Sequence, residues 1–108
     1  QVQTIISWRT NELATTKLYY TQGIAQPGDE MEQETQLDDN YTKNHVVVLT
    51  DFKPGNTYSF KVESMDSSGN VSTSDINTIL APKQQESVFE LILKNLEGMF
   101  GWVGQMRR

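Results

Sequence analysis

The sequence predicts an all-β fold, a β-sandwich, followed by one C-terminal amphipathic helix. Apolar residues alternate with polar ones at Val47 and Leu49 and again over 58–62, the period of strands with one face against a core. A Pro-Gly turn at 54–55 separates the two runs, and a Gly-Asn turn at 69–70 closes the second. This pattern is typical of a binding or assembly module rather than of an active site.

The size and charge of the chain limit what it can be. Its 108 residues suffice for one sandwich and leave no room for a second folded domain. The formal net charge of −5 disfavours the phosphate contacts that dominate nucleic-acid affinity, so we expect no nucleic-acid partner. We expect the sandwich over 1–82, and a linker with a helical tail over 83–108.

Period-two patterns and turn residues set the predicted strands. The predicted strands cover 3–9, 17–22, about 45–51, about 57–66 and about 71–80. Trp8 is the expected core anchor of the first strand, and a polar connection over 10–16 separates it from the second. Residues 23–44 predict a long loop with room for one weak edge strand.

The C-terminal tail carries a helical pattern instead. Ser87 and Glu90 form a capping box, and the apolar residues that follow predict an amphipathic helix at about 86–97, with Gly98 as its C-cap. Because apolar residues cover more than half of its circumference, this helix needs a partner surface. Lys94, Asn95 and Glu97, midway through the segment, argue against a transmembrane span. A membrane surface is disfavoured by the acidic residues of the tail, so a protein is the better partner.

Three motifs stand in order along the chain: TIISWRTNELATTKLYY at 4–20, FKPGNTY at 52–58 and DSSGNVS at 66–72. They resemble, in turn, the opening strands, the corner before a strand and the last turn of bacterial fibronectin type III domains. Together they cover most of residues 4–80. The resemblance implies an immunoglobulin-like sandwich in which Tyr58 is a tyrosine corner, with its ring buried and its hydroxyl bonded to backbone.

The same resemblance implies a place and a class of function. Modules of this family mostly act as spacers, adhesion units or protein-binding surfaces on extracellular proteins, and no catalysis is implied. One departure is important, because only Gln1–Gln3 stand where the family has its first strand. The sandwich is therefore expected to lack that strand and to present an open edge, which upstream sequence or a neighbouring chain would cover.

Strand alternation and the tail predict an interface. If Ile6 and Trp8 point inward, then Ile5, Val46 and Val48 point outward on strands that are adjacent in this family. The alternative is that isolated exposed aliphatic residues are normal on any surface. The predicted interface residues are Ile5, Val46, Val48, Val88, Phe89, Ile92, Leu93, Leu96, Phe100 and Trp102.

The residue inventory argues against an enzyme. His45 is the single histidine and is expected at the surface at a strand start, and the chain has no cysteine, so a nucleophilic triad has no base in a pocket. Acidic clusters at 38–40 and 66–70 do not follow the spacing of an EF-hand loop. We expect no cofactor and no metal.

Two functional hypotheses follow. The first is a structural or assembly module of a bacterial surface or filament protein, which associates with other copies through the open sheet edge and the apolar helix. The second is an accessory module of a larger secreted protein that binds carbohydrate or protein, for which Tyr19 and Tyr41 are the aromatic candidates outside the core and tail.

Overall fold

The structure of the chain is a computed structural model that describes residues 3–83 and 88–93, with Val88 and Phe89 described by backbone alone. The described residues form an all-β fold, a curled sheet in which all strand pairs but one are antiparallel. The strands are β1 (Gln3–Gln22), β2 (Gln33–Glu34), β3 (Asp38–Leu49), β4 (Thr57–Met65), β5 (Val71–Thr73), β6 (Asn77–Leu80) and β7 (Val88–Leu93).

The long strand β1 connects the two halves of the sheet. Up to Thr16 it pairs with β3 and β7, and from Lys17 onward it pairs with β2 and β4. We call the first set, β7, β1 to Thr16 and β3, the first wing. The second wing comprises β1 from Lys17 together with β2, β4, β5 and β6.

The polar stretch at 10–16 was expected to be a connection and is instead part of β1. Its threonines are β-branched and so favour extended backbone. Their hydroxyls are also occupied: Thr15 Oγ1 accepts a hydrogen bond from the Met65 N–H at 3.0 Å. The pairing register with β3 shifts between Arg9 and Ala14, which is how one strand serves both wings.

The other strands lie near their predicted places with some changes of bounds. β3 begins at Asp38, inside the predicted loop, and β2 is the short edge strand of that loop, opposite Tyr19 and Tyr20. The predicted strand at 71–80 is two short strands, β5 and β6, which both pair with β4.

Both wings contribute to one hydrophobic core. Its buried members are Ile6, Trp8, Leu18, Leu49, Phe52, Tyr58, Phe60, Val62 and Ala81. The Trp8 indole N–H donates to Ser64 Oγ at 3.0 Å, a buried hydrogen bond from the first wing to the second. Because the wings share this core, the inner face of each strand is committed to packing and only the outer faces are free.

The helix predicted at 86–97 is replaced by a strand over Val88–Leu93. β7 runs parallel to β1, with Gln3 opposite Val88 and Trp8 opposite Leu93. It therefore lies along the β1 edge that was expected to be open. The reason is tertiary: apolar residues at 88–93 fit a strand as well as a helix, and the β1 edge supplies the hydrogen-bond partners. The remaining positions of the predicted helix lie outside the described residues.

Candidate assembly surface

The outer face of the first wing is built from two rows of side chains that cross three strands. In one row Ile5 of β1 lies between Val48 of β3 and Glu90 of β7. In the next row Ser7 lies between Val46 and Ile92. Residues two apart along a strand share a face, so both rows lie on the same side. We call these six residues the outer patch.

The outer patch is mostly aliphatic and open to solvent. Val46 is 59% exposed, Val48 48% and Ile92 67%, while Ile5 is partly buried between its neighbours. Single exposed aliphatic residues are common on protein surfaces. Here, however, strand register gathers three exposed aliphatic residues and the partly buried Ile5 into one continuous face, and contiguous apolar faces often mark interaction sites.

A depression of about 230 Å³ lies at one end of the outer patch, and Val46, Ile92, Arg9 and Asn44 are among the residues that line it. It gives the patch a concave end with both aliphatic and polar groups. Protein-binding surfaces commonly combine the two.

The inner face below the outer patch contains His45, which the sequence placed at the surface. It is in fact 1% exposed and stacks on Trp8 with ring centroids 5.2 Å apart. Both ring nitrogens have partners, because Nε2 lies 2.9 Å from Thr10 Oγ1 and Nδ1 lies 2.7 Å from Thr16 Oγ1. These partners are distant in sequence, so the strand pattern alone gave no signal of the burial.

The hydrogen bonds assign the state of His45. Thr10 donates its hydroxyl proton to the Glu12 carbonyl at 2.7 Å, so its oxygen accepts from His45 Nε2–H, and Thr16 then donates to Nδ1. This is the neutral imidazole. Burial lowers the pKa of His45 from 6.5 to about 4, although the nearby Asp38 carboxylate opposes that shift. The histidine is therefore a structural member of the first wing.

Tyr58 lies where the resemblance to the family implies. Its ring is buried and stacks on Phe52 with centroids 3.9 Å apart, and its hydroxyl accepts the Lys53 N–H at 2.7 Å. This bond ties the segment after β3 to the beginning of β4. Tyr58 and Trp8, the two predicted core anchors, both belong to the core cluster.

The hydrogen-bonding groups of the acidic turn at Asp66 are paired within the turn. The Asp66 carboxylate accepts the backbone N–H groups of Ser68 and Asn70 at 3.0 and 2.8 Å, and the Asn70 side-chain amide at 2.9 Å. Desolvation raises the pKa of Asp66, but these hydrogen bonds outweigh it and the pKa is lowered. The carboxylate thus fixes the turn between β4 and β5. Within 3–83 and 88–93, no group of three or more His, Asp or Glu side chains could hold a metal ion.

On the outer face of the second wing, polar side chains of β1, β2 and β4 are paired with one another, while Val71 of β5 and Leu80 of β6 are exposed. Lys17 forms an ion pair with Glu34 at 3.1 Å, and Tyr19 donates its hydroxyl to Glu63 at 3.3 Å. The ammonium groups of Lys17 and Lys61 lie 5.3 and 5.6 Å from the Tyr19 ring centroid. Tyr19 is therefore held among charged neighbours, whereas Tyr41 is exposed on β3.

The strand at 88–93 divides the predicted tail residues. Ile92 joins the outer patch, while Leu93, together with Leu91, packs against the core of its own chain. In the structure Ile92 and Leu93 therefore lie on opposite faces of β7. The side chains of Val88 and Phe89 and the whole of Leu96, Phe100 and Trp102 lie outside the described residues. Ser7 and Glu90, which are not among the predicted interface residues, complete the outer patch.

Comparisons with known proteins found no relative of this chain. No protein-family model, curated protein or solved structure matches the chain. In the part of the chain that the structure describes, no helix has the length and apolar character required to cross a membrane.

Proposed function

We propose that the chain is a non-catalytic structural module of the fibronectin type III kind, a β-sandwich from a bacterial cell-surface or filament protein, that associates with other copies of itself. The observation that carries the proposal is the outer patch, where strand register gathers Ile5, Val46, Val48 and Ile92 on one exposed face. The extracellular location rests on the family resemblance.

Three features of the interior support the kind of domain. The Tyr58 hydroxyl bonded to the Lys53 N–H, the self-satisfied Asp66 turn and the buried Trp8 occupy the positions that the family motifs give them. Two wings that share one core support a sandwich. The chain's single histidine is buried with both ring nitrogens occupied, which supports a structural rather than a catalytic role.

The expected association is weak and depends on concentration. Each aliphatic side chain contributes at most about 1.5–3 kcal/mol when fully buried, and binding must also offset lost rotational and translational freedom. The net charge of −5 on each copy adds repulsion. Salt screens that repulsion, so the proposed association strengthens as ionic strength rises.

A matched pair of variants tests the proposal by sedimentation equilibrium. Val48 and Val71 are both valines on strands, exposed to 48% and 47%, but Val48 lies in the outer patch and Val71 on β5 of the second wing. We expect Val48→Glu to weaken self-association at least about tenfold, because it buries a charge against Ile5. Val71→Glu adds the same charge and is expected to leave association near that of the unmodified chain. Equal effects of the two variants, or a monomer at every concentration, would reject the proposed surface.

A further inference from the structure

We propose that β7 is an exchangeable strand: the β1 edge of one copy can accept β7 from a second copy in place of its own. This inference rests on the proposed self-association and names the segment that would connect the copies. The β1 edge over Gln3–Trp8 needs a cover, since its backbone groups and the core behind Ile6 would otherwise be open.

β7 is attached to the fold through one neighbour. In the described residues it forms its ladder with β1 alone, and in parallel, the slightly weaker pairing. Its inward side chains Leu91 and Leu93 are only partly buried. β3, by comparison, pairs with β1 over a longer stretch and buries His45 and Leu49 completely or nearly so. β7 can therefore leave the sheet at a lower cost than β3.

The chain route to β7 suits exchange. β6 ends at Leu80 in the second wing and β7 begins at Val88 in the first, so residues 81–87 must carry the chain from one wing to the other. Five consecutive polar residues, KQQES at 83–87, make up most of that connection. Ala81 is buried in the core and Pro82 accepts a hydrogen bond from Gly55, so five residues are left to span the gap. Five residues reach at most roughly 17–18 Å, which allows β7 to pass only to a neighbour in direct contact.

Exchange preserves every contact that β7 makes, because the acceptor edge is the same in each copy. The difference in free energy between the two arrangements is then set by concentration and by the connecting segment. Exchange also preserves the outer patch, since Glu90 and Ile92 occupy the same places whichever copy supplies β7. A copy that gives β7 to the next while accepting it from the previous one extends a chain of subunits, and two copies that exchange mutually close a dimer.

Cysteine pairs placed in the full-length chain test the exchange, because the chain has no cysteine of its own. Ile5 and Glu90 are directly opposite in the β1–β7 ladder, at the strand spacing of about 4.8 Å that a disulfide can bridge. The control pair is Ile5 and Val48, which are opposite in the β1–β3 ladder. Each double variant, Ile5→Cys/Glu90→Cys and Ile5→Cys/Val48→Cys, is equilibrated under reducing conditions when dilute and when concentrated. It is then oxidised with oxidised glutathione and separated on a non-reducing gel.

We expect Ile5→Cys/Glu90→Cys to give disulfide-closed monomer when dilute and covalent dimers or a ladder of multimers when concentrated. We expect Ile5→Cys/Val48→Cys to stay a closed monomer in both conditions. If the first variant also closes only within one chain at every concentration, the exchange is overturned. Comparison with Val48→Glu and Val71→Glu keeps the two proposals separate, since association through the outer patch without exchange would leave their difference intact.

Discussion

The two wings have alike inner faces and unlike outer faces. On the inside, both supply large buried side chains to the same core, among them Trp8 from the first wing and Phe60 from the second. On the outside, the second wing holds Tyr19 between Lys17 and Glu63, whereas the first wing exposes the aliphatic outer patch.

This difference shows which surface has its interactions satisfied within the chain. The charged groups of the second wing have partners within the chain and are fully compatible with water. Contact with water is unfavourable for the aliphatic side chains of the outer patch, and the described part of the chain does not fully cover them. Since core packing is common to both wings, the contrast in outer faces is what points to the first wing as the association surface.

The largest expected effect comes from breaking the shared inner face. Trp8→Ala removes a buried ring that stacks on His45 and bonds to Ser64, and we expect it to lower the free energy of unfolding by about 3–5 kcal/mol. Tyr19→Ala, on the outer face of the second wing, is the control and is expected to cost about 1 kcal/mol or less. Urea denaturation measures both. Similar losses in the two variants would contradict the division into inner and outer faces.

A pH dependence should arise from the buried histidine of the first wing. Because the pKa of His45 is about 4 in the folded chain and 6.5 when unfolded, the unfolded state binds more protons between these values. The free energy of unfolding should therefore fall by roughly 3 kcal/mol as pH drops from 6.5 to 4, and His45 should add no pH dependence above that window. Asp66 affects stability at lower pH. Its pKa is depressed in the folded chain, so the stability it contributes is lost only as pH falls through and below 3.8.

Chemical denaturation of the unmodified chain and of His45→Gln at several pH values measures this effect. The variant has no titrating group at position 45, so its stability should change much less between pH 6.5 and 4. Parallel profiles for the two proteins would show that the imidazole is not held neutral by burial.

A smaller effect is expected from the Tyr58 hydroxyl in the second wing. Tyr58→Phe keeps the ring stacked on Phe52 and removes only the bond from the Lys53 N–H, so we expect a loss of about 1 kcal/mol in the free energy of unfolding. Tyr41→Phe, at an exposed position of β3, should leave stability within about 0.5 kcal/mol. Thermal and urea unfolding compare them, and equal stabilities would mean that the hydroxyl has no net role.

Strand alternation alone predicted much of the candidate surface. Once Trp8 is placed in the core, Val46 and Val48 must point outward on a paired strand, and the structure exposes both. Strand alternation depends only on residues that are neighbours in the chain, so it can be read from a single sequence. Ile92 was selected for a different reason, as part of a helix, and reaches the patch through β7.

The features that could not be predicted from the sequence depend on contacts between residues far apart in the chain. Residues 88–93 follow a capping-box serine, Ser87, and have helical spacing, yet the edge of β1 offers backbone partners that no local pattern reveals. His45 looks like an ordinary strand-start histidine, but the threonines that satisfy it are 29 and 35 residues away. In each instance a contact between distant segments overrides a local preference.

Methyl spectra of the chain labelled at valine and isoleucine, recorded over a dilution series, test the central claim most directly. Association through the outer patch predicts that the methyl signals of Val46, Val48 and Ile92 shift with concentration. Those of Val71 and Ile24, which are 47% and 72% exposed elsewhere, should not. Signals that stay constant at all five positions, or that move mainly at Val71 and Ile24, would contradict the account.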